Sequence, residues 1–288
     1  VYKRQGSMSE ASKELFISQP GLTTSIRELE TEMGIKIFTR TNKGVVTSNE
    51  GERFLGYARQ VLEQASLLEG VYKSGTKIKQ QFCVSTQHYS FAVNAFVDLI
   101  RRFAGEEYDF SLRETETYEI IDDVAKMKSE IGILYLNSFN KDALMKIIKS
   151  KSLTFTELFT AKPHVFVSTD HPLADKKSVT MEELADYPYL SFEQGEHNSF
   201  YYSEEIFSTV GRTKNIRVTD RATLFNLLIG LNGYTVCSGV IDNELNGDNI
   251  TAIPLDEEGN MKIGYIENKK ILHSNLAEAY IEALKKHI

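Results

Sequence analysis

From Ser7 onward the apolar positions recur at helical intervals. Ala11, Leu15 and Phe16 share one face behind Ser9, which can cap, and predict a short helix. Ile17-Ser18-Gln19-Pro20 then breaks the pattern; Ser18 can cap, and Pro20 sits in a first turn, where its missing N–H costs nothing. Leu22, Ile26, Leu29 and Met33 follow at i, i+4, i+7 and i+11, and Gly34 supplies a left-handed stop. Thr47 and Glu50 have capping-box spacing and open a long helix toward Ser74-Gly75. Along it Phe54, Ala58, Val61, Ala65, Leu68 and Tyr72 alternate steps of four and three, a heptad seam that predicts dimerisation. The same seam would suit a helix lying on its own domain.

After Lys77 strand patterns alternate with helical ones. Phe82-Cys83-Val84, then Phe110 with Leu112, then Ile131 to Tyr135 predict strands. Between them, the stripes Ala92-Phe96-Leu99-Phe103 and Ile120-Ile121-Val124-Met127 predict helices, giving a parallel sheet covered on both faces. A second set predicts strands at His164–Ser168, Tyr189–Phe192, Ile216–Val218 and Tyr234–Cys237. Helices are expected around Met181–Ala185, Tyr202–Ser208 and Ala222–Leu231. A last helix with Leu276, Tyr280 and Leu284 on one stripe should pack back on the first lobe. The expected fold class is α/β: an all-α head at 6–47, a linker helix at 48–77, and a two-lobed body at 78–288. Its first lobe takes about 78–162 and 264–288, its second about 163–263.

Composition narrows the function classes. With 288 residues, 41% hydrophobic and 25% charged, the chain is globular and long enough for two cores. No apolar run reaches membrane-spanning length and no signal peptide opens the chain, so a cytoplasmic protein without a membrane partner is expected. Residue 1 is Val, and Val1 to Gln5 show neither cap nor period; they read as a shortened start with residues foreign to the protein. Cys83 and Cys237 lack disulfide or metal spacing and read as reduced thiols. The net charge of −7 divides into +2 through Lys77 and −9 over the remainder, which fits a DNA-facing head on an acidic body.

Two helices joined by a tight turn make a helix-turn-helix. Its second helix leaves Gln19, Thr23, Thr24 and Arg27 off the apolar stripe, where a recognition helix meets bases and phosphates. Spacing alone fits equally well an ordinary helix pair with a solvated polar face. The residues are more specific: Ser18-Gln19-Pro20-Gly21-Leu22-Thr23-Thr24-Ser25-Ile26-Arg27-Glu28-Leu29-Glu30, then Gly34, Phe38-Thr39-Arg40 and Thr47-Ser48-Asn49-Glu50-Gly51. They closely resemble the winged helix-turn-helix of LysR-type transcriptional regulators. The resemblance implies double-stranded DNA contacts by Ser18, Gln19, Pro20, Thr23, Thr24, Arg27, Arg40 and Lys43. Thr24 stands where the family is commonly basic, Gly21 where it commonly has alanine, and the family's first full helix is absent before Gly6-Ser7. The resemblance also implies self-association, as a homodimer or a tetramer.

In the body, Asp170-His171-Pro172-Leu173-Ala174 and Leu184-Ala185-Asp186-Tyr187-Pro188 resemble the second-lobe motifs of the LysR-type effector domain. That implies a periplasmic-binding-protein-like fold with a small molecule between the lobes. Open α/β sheets bind ligands beyond the carboxyl ends of strands, where helix N-termini present N–H groups. Here that place offers Ser85, Thr86, Gln87 and His88, suited to a carboxylate, although helix capping alone would explain Ser85 and Thr86. This loop resembles that of the family's sulfur-assimilation branch. Across the cleft lie Tyr135 and Asn137, then Phe192, Glu193 and Gln194, then Ser238. The expected effector is small, polar and carboxylate-bearing; a zwitterion would also satisfy Glu193. His164, His171 and His197 are scattered without metal-ligand spacing, and no phosphate-cradling loop occurs, so no enzyme, metal or cofactor is expected.

Overall fold

The computed structural model describes residues 11–13, 15–41, 44–73, 80–103, 105, 107–241 and 247–288. Ser9, Val1 to Gln5 and Lys43 lie outside them, as do the side chains of Arg40, Leu68 and Tyr72. The chain divides into two units, Val1–Ile78 and Lys79–Ile288.

In the first unit residues 11–13 are helical, but Leu15 and Phe16 do not continue the face they share in sequence. Phe16 adopts φ 54° and is almost fully exposed, because the chain turns there. Helix α1 (Gln19–Met33) then starts on the expected cap: the Ser18 hydroxyl accepts from the Gly21 N–H at 3.2 Å. It ends at Gly34, whose φ of 64° costs a Cβ-free residue nothing. Strands β1 (Phe38–Thr41) and β2 (Gly44–Thr47) form an antiparallel hairpin, so the head is not all-α. A small core joins Ala11 and Leu22 to Ile26, Phe38 and Val45.

Helix α2 (Asn49–Lys73) is capped by Ser48, one residue later than the capping-box spacing suggests, since Thr47 belongs to β2. Gly51 lies so close to β1 that an added Cβ would stand 2.2 Å from the Ile37 carbonyl oxygen.

The second unit is built on a five-stranded sheet of β3 (Gln80–Thr86), β4 (Tyr108–Glu114), β5 (Ile131–Leu136), β6 (Leu153–Ala161) and β12 (Met261–Asn268), in the order β4-β3-β5-β12-β6. It is mixed, contrary to the parallel sheet expected, because β12 returns from the second lobe and pairs antiparallel with β5 and β6. Period-two alternation along fully buried β5 feeds two cores. Ile131, Ile133 and Tyr135 meet α3 (Ser90–Phe103) and the closing helix α7 (Asn275–Leu284), where the Tyr280 hydroxyl donates to the Ala92 carbonyl at 2.9 Å. Leu134 and Leu136 meet α4 (Thr117–Ala125) and α5 (Lys141–Ser150) on the other face.

The second lobe places β7 (His164–Ser168) between β10 (Thr235–Cys237) and β11 (Ile250–Pro254), all antiparallel. A parallel pair, β8 (Tyr189–Phe192) and β9 (Asn215–Val218), joins it through a Tyr189–Tyr234 bridge. Helix α6 (Arg221–Leu231) covers Phe166, Leu190, Val218 and Ile250 with Leu224 and Leu228. Two expected helices are absent. Residues 181–186 are turns that bury Leu184, a segment too short before Pro188 to hold a helix. Residues 200–202 form one 3₁₀ turn, and Phe207 at φ 64° breaks any continuation.

Candidate functional site

The first unit presents α1 outward. Ser18, Gln19, Pro20, Thr24 and Arg27 are exposed and Thr23 half-exposed, with its hydroxyl returned to the Gln19 carbonyl at 2.9 Å. Arg27 makes no ion pair among the described residues. Opposite that face, Glu30 is buried, and its Oε1 accepts from the backbone N–H groups of Ile37 at 2.8 Å and Phe38 at 3.1 Å. Lys36 Nζ donates to Oε2 at 3.1 Å. Burial disfavours the Glu30 carboxylate, but these three donors outweigh it and hold the carboxyl below its ordinary value. Glu30 therefore clamps α1 to the start of the β1–β2 hairpin, a role its place in a polar run of sequence does not disclose.

On α2 the seam residues Phe54 and Ala58 are half-buried, while Val61 and Ala65 are exposed, Val61 at 68%. Tyr57 and Leu62 beside them are 65% and 69% exposed.

In the second unit the loop after β3 divides. Ser85, Thr86 and Gln87, expected to meet a ligand, are fully buried and committed to protein partners. Ser85 donates to Asp123 at 2.8 Å, Thr86 to the Gln87 carbonyl at 2.7 Å, and the Gln87 amide to Thr117 at 2.6 Å. Gln87 Oε1 accepts from the Tyr135 N–H and the Tyr89 hydroxyl, each at 3.0 Å, which fastens the strand ends. Alternation sends Ser85 and Thr86 to opposite faces of β3, but both faces are covered, so neither side chain reaches solvent.

His88 alone reaches the cleft. Its N–H and Nδ1 meet Glu204 at 3.0 and 2.9 Å, and its ring lies flat on Phe192 with centroids 3.7 Å apart. Burial disfavours the imidazolium, but the Glu204 carboxylate outweighs it and raises His88 above its ordinary value. Nε2 is buried without a hydrogen-bond partner.

A small cavity of ≈ 40 Å³ gathers His88, Phe192 and Ser238 from the expected set and adds Ser90, Phe166, Glu204, Glu205, Arg221 and Phe225. The others are placed elsewhere. Tyr135 is buried and Asn137 accepts from the Phe139 and Asn140 N–H groups; both border a different hollow. Gln194 bridges the Thr117 N–H and Glu204, and Glu193 is exposed. Arg221, at the first turn of α6, lies 3.0 Å from Glu114, yet its buried Nη1 has no hydrogen-bond partner. Burial, reinforced by the neighbouring Glu204 charge, pushes the Glu205 carboxyl up to about 8, so near neutrality it is predominantly protonated. The strand-end rule that singles out Ser85 applies equally at the end of β9, and there it leads to Asp220 and Arg221.

A sequence profile described as the LysR substrate binding domain matches residues 84–288, and one for the bacterial regulatory helix-turn-helix protein, lysR family, matches residues 2–52. The chain belongs to the LysR family. Among LysR-family relatives, the regulator CysB of Burkholderia cenocepacia is 28% identical over 193 residues, 65% of this chain and 58% of that protein. The RuBisCO operon transcriptional regulator of Allochromatium vinosum is 27% identical over 214 residues, 73% of this chain and 66% of that protein. The chain thus spans under two-thirds of the length of these LysR-family proteins. A full-length BenM variant superposes with a TM-score of 0.51 at 20% identity, covering 99% of this chain and 92% of its own. OxyR of Corynebacterium glutamicum gives 0.50 at 16%, covering 99% and 90%; both likenesses concern the LysR-family fold. No helix among the described residues is long and apolar enough to cross a membrane.

Proposed function

We propose that this chain is a cytoplasmic transcriptional regulator that binds operator DNA through α1 as a homodimer and is controlled by a small carboxylate-bearing effector in the cleft. The observation that carries the effector half is the pair of unpartnered buried nitrogens, His88 Nε2 and Arg221 Nη1, lining one cavity. Glu204 at Nδ1 favours the imidazolium, and in that form the ring directs an Nε2–H donor away from its partner, to which Arg221 adds a second. Burying a donor unpaired costs about 1–3 kcal/mol, which a carboxylate accepting from both would offset. Glu204 is already engaged and Glu205 protonated, so neither calls for an amino group. Apolar Phe166, Phe192 and Phe225 suit a short tail, and an effector with a longer one enters as the lobes part.

The DNA half rests on the exposed polar face of α1, locked from behind by Glu30, and the dimer on the exposed row through Val61. Mobility-shift titrations at several salt concentrations test the former: Arg27→Ala should lower the log–log salt slope by about 0.9 for its lost phosphate contact, and an unchanged slope removes Arg27 from the interface. Thermal-shift screening of short carboxylates tests the cleft between His88 and Arg221. His88→Gln should abolish the response to any hit, and an undiminished response would move the effector elsewhere.

A further inference from the structure

We propose that the second lobe carries an additional binding site for a small oxyanion, on the face of the β8–β9 pair opposite α6. Alternation along the two strands sends Leu190, Ile216 and Val218 toward α6, and Tyr189, Ser191, Asn215 and Arg217 to the other side. There they border a cavity of ≈ 500 Å³, closed over by the segment from Asn198 to Arg212.

Two observations mark it as a site. The Tyr189 hydroxyl, on a side chain 4% exposed, is buried with no hydrogen-bond partner. Arg212 is the second: its guanidinium lies over the Tyr189 ring at 3.8 Å, Nε donates to the Tyr234 hydroxyl at 3.2 Å, and Nη1 donates to the carbonyls of Phe207 and Val210. One edge of the fork is thereby fixed, while Nη2 is left buried and unpartnered. A guanidinium held this way is preorganised, so it loses little freedom when an oxyanion arrives.

The charge balance favours an anion. Arg212 and the exposed Arg217 line the cavity against Glu193, likewise exposed, and Glu205, whose burial keeps it protonated near neutrality, which leaves Arg212 as the partly buried charge. Ser191, Ser203 and Thr209 add hydroxyl donors around the same space. Phosphate and sulfate groups, free or on a small ester, share the required chemistry. Phe192 and Glu205 border both this cavity and the cleft, so an occupant here shares a wall with the effector.

Calorimetric titration of the full chain with inorganic phosphate, inorganic sulfate and glycerol phosphate tests the proposal. Saturable binding of at least one is expected, and the preferred probe tells a free anion from an ester. Tyr189→Phe removes only the unpartnered hydroxyl and should weaken binding about tenfold at unchanged melting temperature; Arg217→Gln should weaken it as well. His88→Gln, confined to the cleft, should bind like the parent. No saturable heat with any probe overturns the site, as does parent-like binding by both lobe variants, or a loss of binding in His88→Gln.

Discussion

Glu30 offers a quantitative test of how the head is held together. Both backbone donors, from Ile37 and Phe38, converge on Oε1, and only the surface lysine uses Oε2. Glu30→Gln keeps a carbonyl oxygen in the Oε1 position and so retains both backbone bonds, losing the charge and the Lys36 pair. Lys36 is 76% exposed, so that loss is worth about 1 kcal/mol or less. Glu30→Ala instead strands two N–H groups, one of them the N–H of Ile37, whose residue is 2% exposed. At about 1–3 kcal/mol per unsatisfied buried donor, the expected cost is at most about 2–6 kcal/mol, the Phe38 N–H being only half-buried. A domain of this size holds only about 5–10 kcal/mol in all, so the alanine variant should populate an open head measurably.

Hydrogen exchange at the Ile37 and Phe38 amides, read beside chemical denaturation, separates the two variants. The alanine variant should lose protection at both amides, while the glutamine variant keeps most of it. The pH dependence carries a sign as well. The Glu30 carboxyl is lowered in the folded state, so its ionic contribution is present above the unfolded value near 4.5 and is lost as pH falls through the folded one. The gap between parent and glutamine variant should therefore close in acid. Equal costs for alanine and glutamine would refute the clamp.

Gly51→Ala should destabilise the head by about 1–3 kcal/mol despite alanine's better helix propensity, because its Cβ would meet the Ile37 backbone; a stabilised variant on denaturation would sink this reading. In the body, Glu205 has its carboxyl raised from 4.5 to about 8, so its own contribution to stability is full below pH 4.5 and is lost as pH rises through about 8. Raised His88 adds a decline of the same sign, and Glu205→Gln should flatten most of the fall in melting temperature between pH 5 and 9; an unchanged profile would contradict the assignment. Val61→Glu should shift sedimentation toward monomer and weaken operator binding, and a persistent dimer would place the interface off this seam.

The elements legible in the sequence are those whose period was clean and long. Ser18 with Pro20 and Gly34 bounds α1 closely, because capping chemistry is local. His164–Ser168 and Tyr189–Phe192 are recovered to the residue for a similar reason: each is a short apolar run between turn formers. Sheet direction is not local. Whether Met261–Asn268 pairs parallel or antiparallel depends on how the second lobe hands the chain back, and no residue within β12 encodes that. The missing helix at 202–208 fails differently. Glu204 and Glu205 look like solvent-facing residues of an amphipathic turn, yet both are buried. Their orientation follows from partners far away in sequence, His88 for one and the Phe192 N–H for the other.

The cleft shows the same division between local and non-local information. The strand-end rule is geometric, and it leads to the rim of the cleft at β3 and again at β9, but it cannot say which side chain of a strand end faces out. At β3 the polar character of Ser85, Thr86 and Gln87 is consumed by Asp123, Thr117 and the Tyr135 backbone, groups brought there by α4 and β5. Polarity near a strand end is therefore weak evidence for a ligand unless the protein's own demand for it is already met. What identifies a contact is the residual: a buried donor left over after every internal partner is counted. By that measure His88 and Arg221 stand out in the cleft, where the sequence names His88 no more strongly than Gln87 and does not single out Arg221.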